Sequence, residues 1–196
     1  MRITPIMTED AKTMLRLMGL PVIEAPVEAE AQCVTLAKHK KVDAVASEDM
    51  DCLTFGATLQ IRGFTQRKNK NDPIIEIELS VVLKELELTM DEFIDFCILC
   101  GSDYTQTIEG LGPNTALKLI KEFKTIEKVL EELRKKNAEK VKEGKEGRYT
   151  IPPDEHFNFQ GAREEFKACH STPANDIEVG FVSLRRSNSE TSTKKA

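Results

Sequence analysis

Residues 25–34 read A-P-V-E-A-E-A-Q-C-V, and residues 45–56 read V-A-S-E-D-M-D-C-L-T-F-G. The small and β-branched residues at 42–47 predict a short buried strand that leads into an acidic turn. Asp49 and Asp51, two positions apart in that turn, point the same way if the backbone there is still extended. Open α/β sheets bind ligands just beyond the carboxyl ends of their strands. The stretch therefore predicts an α/β fold with this turn at a ligand-binding edge of the sheet.

Three further acidic residues lie where helices begin or end. Glu28 and Glu30 follow Pro26, which favours a helix entrance, and Asp103 follows Gly101, which ends an apolar helix. Glu28 and Glu30 would lie on nearly opposite sides of an ideal helix. If both serve one site, Glu28 must therefore lie in the non-helical entrance, which Pro26 favours.

Carboxylates that are brought together repel one another and raise each other's pKa unless a cation lies among them. Oxygen ligands with no His or Cys nearby favour Mg²⁺ or Mn²⁺ over zinc. Any one of these acidic residues, taken alone, is most simply a solvated surface group, so the hypothesis of a metal site depends on their combination. The candidate ligands are Glu28, Glu30, Asp49, Asp51 and Asp103.

The D-x-D pair has a second interpretation. A hydrophobic strand followed by Asp49, Asp51 and Thr54 also resembles the nucleophile loop of haloacid-dehalogenase-type phosphatases, in which the first Asp is phosphorylated beside a magnesium ion. The upstream pair, Glu28 and Glu30, has no role in a phosphatase of this kind. The phosphatase interpretation is therefore the less favoured of the two.

A glycine-rich turn, I-E-G-L-G-P-N-T-A at residues 108–116, comes before a predicted helix that begins at Pro113. Glycines let the backbone approach a ligand closely, and the exposed N–H groups at a helix start attract phosphate. The lysines that follow at near-helical spacing, among them Lys118 and Lys121, make this a plausible clamp for the backbone of nucleic acid. An ordinary turn followed by a solvated helix face is the alternative.

The remaining pattern predicts a helix capped by Thr8 and ended by Gly19, a strand at 22–25, a strand at 59–62 and a half-exposed or edge strand around residues 75–77. A capping box at residues 89–92 starts the apolar helix that Gly101 ends. One more helix is expected at 160–168. Residues 171–196, rich in Ser, Thr, Asn and Lys, are expected to be disordered.

Composition bounds these hypotheses. The 196 residues carry a formal net charge of −5, which argues against nucleic-acid binding if the whole chain is considered. Metal ions bound in an acidic site would, however, neutralise part of this negative charge locally. The cysteines, an odd number at five, suggest reduced thiols in the cytosol or nucleus. Cys97 and Cys100 form a C-x-x-C pair inside an apolar helix, where two buried thiols are the simplest interpretation. No apolar run approaches the length of a membrane span.

Four segments, in this order and spacing, resemble the eukaryotic flap endonuclease family, structure-specific 5′-nucleases of the PIN-like class. They are A-P-V-E-A-E-A-Q-C at 25–33, S-E-D-M-D-C-L-T-F-G at 47–56, F-C-I-L-C-G-S-D-Y at 96–104 and I-E-G-L-G-P-N-T-A-L-K-L-I at 108–120. The resemblance implies a PIN-like core with a partial parallel sheet flanked by helices. It also implies 5′-flap endonuclease and 5′–3′ exonuclease activity on DNA in replication and base-excision repair.

The resemblance assigns roles to individual residues. It implies two magnesium ions, with manganese as an alternative, about 3.5–4 Å apart, where they would activate a water and stabilise the leaving oxygen. It also implies that the turn at 110–116 belongs to a helix-two-turn-helix motif, which holds duplex DNA and orders a K⁺ ion. The expected partner is flapped or nicked double-stranded DNA in the nucleolus and nucleoplasm, with mitochondria as a second location. The matching catalytic residues are Glu30, Asp49, Asp51 and Asp103, the metal ligands are these four and Glu28, and the DNA-binding residues are Glu28, Gly101, Asp103, Gly110, Gly112, Lys118 and Lys121.

The chain departs from the family at both ends. Family members begin with a region that carries two further metal carboxylates and a basic helical arch. They continue into a tryptophan-containing segment and a Q-x-x-L-x-x-F-F motif for a sliding clamp, and this chain has no Trp and no such motif. We expect an internal portion that cleaves poorly or not at all alone, with a non-catalytic duplex-DNA-binding module as the alternative. The expected parts are the second half of the nuclease core (1–100), the helix-two-turn-helix segment (101–137), a peripheral loop and helix (138–170) and a divergent tail (171–196).

Overall fold

The computed structural model describes residues 3–64, 73–144 and 147–177. The chain divides into two compact units, one made of Met1–Glu24 with Asn175–Ala196 and the other of Ala25–Ala174. The predicted tail from residue 178 onward and the polar loop at 65–72 lie outside the described residues.

The first unit contains helix α1, Pro5–Leu17, none of whose residues is buried. Thr4 caps this helix by accepting a hydrogen bond from the Met7 N–H at 3.4 Å. The predicted start at Thr8 is wrong because Thr4 and Pro5 together form an earlier cap and first turn. The predicted strand at 22–25 does not form, and those residues are irregular.

The second unit alternates helices with short strands. Its first half contains α2 (Ala29–Lys38), β1 (Val45–Ala46), α3 (Asp51–Thr54), β2 (Leu59–Arg62) and β3 (Ile75–Glu78). Its second half is helical, with α4 (Leu79–Leu86), α5 (Met90–Cys100), α6 (Pro113–Phe123), α7 (Ile126–Lys142) and α8 (Phe159–Ala168). A 3-10 turn, Ala174–Asp176, lies at the boundary between the two units.

The described strands form one sheet in the order β1-β2-β3. β1 pairs with β2 in parallel, with Val45 opposite Gln60, and β2 pairs with β3 antiparallel. Ile75 and Ile77 alternate with glutamates on β3, as expected for the edge strand. The predicted α/β fold is confirmed, with parallel pairing limited to β1 and β2.

Helix α5 is the centre of the helical half and contacts α6, α7 and α8. Its capping box forms as predicted, because the Glu92 N–H donates to Thr89 Oγ1 at 3.3 Å and the Thr89 N–H donates to Glu92 Oε2 at 2.9 Å. Gly101 ends the helix at a φ of +121°, which favours glycine. The fully buried side chains of this core include Ile98, Leu99, Ile120, Leu133 and Phe166.

One charged group lies inside this apolar core. Asp95 of α5 is 3% exposed and accepts hydrogen bonds from Arg163 Nε at 2.8 Å and Arg163 Nη2 at 2.9 Å. It also accepts the Ile126 N–H at 3.1 Å, one of the N–H groups that the first turn of α7 leaves unpaired. Arg163 bonds Glu127 on its other edge, at 3.0 Å and 3.2 Å. One guanidinium therefore joins α5, α7 and α8, a contact that sequence analysis did not predict.

The predicted disorder does not hold for the start of the tail. The Thr172 N–H donates to Gln32 Oε1 at 2.8 Å, and Gln32 Nε2 donates to the Thr172 carbonyl at 3.1 Å. Ala174 is 1% exposed. Residues 171–174 are ordered because the buried Gln32 amide pairs with their backbone, a partner that local composition does not reveal. None of the helices in the described ranges is long and apolar enough to cross a membrane.

Candidate active site

The acidic turn after β1 is held by its own side chains. The Asp49 N–H donates to Ser47 Oγ at 3.1 Å, and the Asp51 N–H donates to Asp49 Oδ1 at 2.9 Å. Asp51 is the first residue of α3, so the condition for Asp49 and Asp51 to point the same way, an extended backbone, is not met. Aspartate caps a following N–H readily, and that local bond favours a helical turn over an extended strand.

Glu28 and Glu30 come from the start of α2. Glu28 is the N-cap residue, with an extended φ of −116° and ψ of 138°, and Glu30 lies in the first helical turn. Glu28 therefore lies outside the helix, as a shared site requires. Glu30 Oε1 accepts a hydrogen bond from Ser47 Oγ at 3.5 Å, which links the start of α2 to the acidic turn.

Asp103 is placed by the end of α5. It lies in a tight turn closed by the bridge between Ser102 and Thr105, just after Gly101. Its side chain is exposed, whereas Glu28 and Glu30 are half-buried.

The pKa of Asp51 shows that the predicted carboxylates converge. Burial, followed by the charges of Asp49, Asp103, Glu28 and Glu30 in that order, raises this pKa from 3.8 to about 6. Each of the four lies close enough to act on Asp51. The structure thus places the other four predicted metal ligands near one half-buried aspartate, Asp51.

The donor set fits divalent cations that prefer oxygen. It consists of carboxylates, and the like charges around Asp51 are of the kind that a bound cation would relieve. Among the described residues, no three Asp, Glu, His or Cys side chains already stand close enough to hold an ion as they are.

Tyr104 is a site residue that sequence analysis missed. Its hydroxyl hydrogen-bonds Glu28, and its ring packs edge-on against Phe166 with centroids 5.1 Å apart. Burial, this hydrogen bond and the neighbouring charge of Asp51 raise the pKa of Tyr104 well above its usual range. The phenol therefore stays protonated and donates a hydrogen bond to Glu28. Its position directly after Asp103, in S-D-Y, was the available signal.

The glycine turn has two different glycines. Gly110 has a φ of +81°, and a Cβ there would lie 2.6 Å from the carbonyl oxygen of Arg148. Internal packing therefore accounts for a glycine here, and the contact of Gly110 with DNA stays a prediction. Gly112 caps α6, and a Cβ at this position would meet no described atom within 4 Å, so this end of the turn is open. Gly101 is likewise explained by backbone geometry, with Thr107 3.1 Å from where a Cβ would lie.

The predicted lysines and cysteines are placed as follows. Lys118 is exposed on α6, and Lys121 pairs with Glu87 at 2.8 Å.

Cys97 is half-buried, and burial raises the pKa of its thiol to about 12, so it stays protonated at neutral pH. Cys100 is exposed at the end of α5, so the prediction of two buried thiols is wrong for this residue.

Similarity to known proteins agrees with this geometry. Residues 19–103 match the XPG I-region. A flap endonuclease of Paramecium tetraurelia is 53% identical over 164 residues, which are 84% of this chain and 41% of the relative. The chain is related to the flap endonucleases. The resemblance of its motifs to this family is confirmed.

Two solved structures extend the comparison. The catalytic core of Rad2 in complex with DNA substrate is 25% identical, with a TM-score of 0.76, and the match covers 92% of this chain and 62% of that one. The Holliday junction-resolving enzyme GEN1, in complex with product DNA and Mg²⁺, is 26% identical with a TM-score of 0.65, over 86% of this chain and 45% of that one. The PIN-like fold is therefore confirmed. This chain spans less than half the length of its flap endonuclease relative.

Proposed function

We propose that the chain supplies carboxylate ligands of a divalent-metal site that hydrolyses DNA in a structure-specific 5′-flap endonuclease and 5′–3′ exonuclease. The convergence of four carboxylates on Asp51 is the observation that carries this proposal. Homology to flap endonucleases narrows the reaction to phosphodiester hydrolysis. The proposed ligands are Glu28, Glu30, Asp49, Asp51 and Asp103.

The chain's own residues have distinct roles in this proposal. Asp51, half-buried at the centre, and Asp49 beside it carry negative charge from the turn after β1, while Glu30 reaches the same turn through Ser47. Tyr104 orients Glu28 by donating to it. Bound Mg²⁺ ions, or Mn²⁺, would polarise the scissile phosphate and its attacking water. The proposal has two such ions, and Mg²⁺ in the GEN1 complex supports the choice of metal.

A second surface, the start of α6, is proposed to bind the duplex. Gly112 places no side chain over the start of α6, and Lys118 is exposed on the same helix. Contacts of this kind hold phosphates without reading bases, which suits recognition by DNA shape. Rad2 and GEN1 were both solved with DNA, which supports DNA as the partner. Flapped or nicked duplexes are the form of DNA that the family resemblance proposes. The roles of Gly101, Gly110, Lys121 and a K⁺ ion rest on family resemblance, as does a location in the nucleolus and nucleoplasm or in mitochondria.

The test offers the chain three substrates, each in the presence of Mg²⁺: a labelled 5′-flap duplex, the matching nicked duplex and p-nitrophenyl phosphate. We expect salt-dependent binding of both duplexes and little or no cleavage of the flap. Any cleavage that does occur requires Mg²⁺ and disappears in Asp49→Asn.

The other results separate the alternatives. Turnover of the phosphate ester that survives Glu28→Gln but not Asp49→Asn would establish a phosphatase instead. Duplex binding with no Mg²⁺ bound at the carboxylates would establish a non-catalytic DNA-binding module. Efficient flap cleavage, abolished by Asp49→Asn, would contradict the expectation that these residues alone are weakly active.

A further inference from the structure

Gln60 is a polar residue in the most buried position of β2. Its side chain is 0% exposed, and the strand around it reads L-Q-I-R. Burying an amide is unfavourable unless hydrogen bonds replace those to water. The contacts of this amide therefore show what the residue does.

Both observed hydrogen bonds of the Gln60 amide go to the backbone of the acidic turn. Nε2 lies 2.6 Å from the carbonyl oxygen of Asp49 and 3.0 Å from that of Ser47. Carbonyl oxygens only accept hydrogen bonds, so the NH₂ group must be the side that faces them. The two carbonyls lie on either side of Glu48, at the point where the chain leaves β1.

The carbonyl oxygen of the same amide makes no hydrogen bond to the described residues. Oε1 of Gln60 is buried, and within the described part of the chain it has no hydrogen-bond partner. An apolar side chain of the same shape would fill this place without leaving a buried oxygen unpaired. The two hydrogen bonds that the NH₂ group donates are therefore what a glutamine contributes at this position.

The hydrogen bonds from Gln60 differ in kind from the others in this turn. The Asp51 N–H is held by the Asp49 carboxylate at 2.9 Å, and this carboxylate is itself a proposed metal ligand. A carboxylate that turns toward an ion weakens its bond to the backbone. Gln60 binds main-chain carbonyls instead, so its hold on the turn does not compete with metal binding.

We infer that Gln60 is a positioning residue that fixes the backbone of the acidic turn, so that the Asp49 and Asp51 carboxylates face Glu28, Glu30 and Asp103. The inference rests on the proposed function in one respect, that these carboxylates bind divalent ions. The orientation of the turn can be measured without any metal.

The test compares Gln60→Met with Gln32→Met in the full chain. Methionine nearly matches glutamine in shape but lacks both donors, and Gln60→Leu serves as a second variant. Gln32 is a matched control, since it is a buried glutamine (3% exposed) whose amide pairs with the backbone of Thr172 rather than with the turn. The measurements are amide hydrogen exchange at Asp51 and Leu53 without metal, and Mn²⁺ affinity by electron paramagnetic resonance.

We expect exchange at Asp51 and Leu53 to be roughly tenfold faster in both Gln60 variants, since two hydrogen bonds to the turn are lost. Mn²⁺ affinity should fall about 10- to 100-fold, the usual loss when a group that orients metal ligands is removed. Gln32→Met should leave both quantities unchanged.

Four results would overturn the inference. Native exchange rates in both Gln60 variants would show that the amide does not hold the turn. Equal effects in Gln32→Met would show a general loss of stability. Faster exchange with unchanged Mn²⁺ affinity would show a structural role without consequence for the ligands. Failure of the native chain to bind Mn²⁺ would refute the proposed metal site itself and the positioning role with it, and the native sample alone reveals that result.

Discussion

Asp95 and Asp51 are two aspartates that folding withdraws from water, and their surroundings are opposite in charge. Asp95 is almost fully buried, and Arg163 and the Ile126 N–H satisfy its carboxylate. Asp51 is half-buried, and four other carboxylates raise its pKa. A balanced buried charge fixes the packing of helices, whereas an unbalanced one lowers stability until a cation arrives. This difference distinguishes Asp95, a structural acid whose charge is paired within the fold, from Asp51, a proposed metal ligand whose charge is not.

The largest expected effect comes from removing the Arg163 guanidinium, which pairs with Asp95. Arg163→Met leaves the Asp95 carboxylate buried without its partner, which typically destabilises a fold by about 3–5 kcal/mol. The free energy of unfolding, measured with urea at pH 7, should fall by that amount.

The matched control is Arg134→Met. Arg134 pairs with the exposed Asp154 at 3.1 Å, and surface pairs contribute only about 0–1 kcal/mol. If the two variants lost equal stability, Asp95 would not be the structural acid described above.

An intermediate effect should come from adding a divalent ion to the Asp51 cluster. An ion that binds only the folded chain raises stability by about 2.7 kcal/mol at 100 times its dissociation constant. Urea unfolding with and without Mg²⁺ measures this, and Asp49→Asn should remove most of the gain.

Asp154→Asn is the control for this cluster, since it removes an exposed carboxylate that pairs with Arg134. A gain from Mg²⁺ that is the same in native chain and Asp49→Asn would mean that the ion binds elsewhere.

The smallest effect has the opposite sign to the first. The pKa of Asp51 is raised from 3.8 to about 6, so its contribution to stability is fully present below pH 3.8 and is lost as pH rises through about 6. Without metal, Asp51→Asn should therefore stabilise the chain at pH 7, by about 1 kcal/mol after allowance for solvent screening of a half-buried group.

The pH dependence is the check on this sign. The gain from Asp51→Asn should shrink as the pH falls from 7 to 4, where the native carboxyl is protonated in the folded chain. Destabilisation by Asp51→Asn at pH 7 in metal-free buffer would mean that Asp51, like Asp95, has a structural partner.

Local signals in the sequence predicted the features that local contacts determine. The capping box at Thr89 and the start of α6 at Pro113 follow from residues within one helical turn. The five carboxylates were predicted as a set, because each lies at the end of an element or in a turn. The acidic turn at Asp49 was predicted, but whether its backbone is extended was left open, since periodicity does not reveal that Asp49 caps Asp51.

Features that depend on distant contacts could not be predicted. Asp95 and Arg163 are 68 residues apart, and the pattern around Asp95 reads as an ordinary apolar helix. The role of Gly110 depends on Arg148, which a separate segment brings to 2.6 Å from where a Cβ would lie. Gln60 likewise shows its partners only after β1 and β2 pair.

The most direct test of the account is the titration of the Asp51 carboxyl, followed by carbon-13 NMR in metal-free buffer and then with Mg²⁺. Burial of Asp51, together with the four carboxylates near it, predicts a midpoint near pH 6 without metal, and the convergence of those carboxylates on a metal site predicts a clear fall when Mg²⁺ is added. A metal-free midpoint near 3.8, unchanged by Mg²⁺, would show that the carboxylates do not converge and would contradict the proposed metal site.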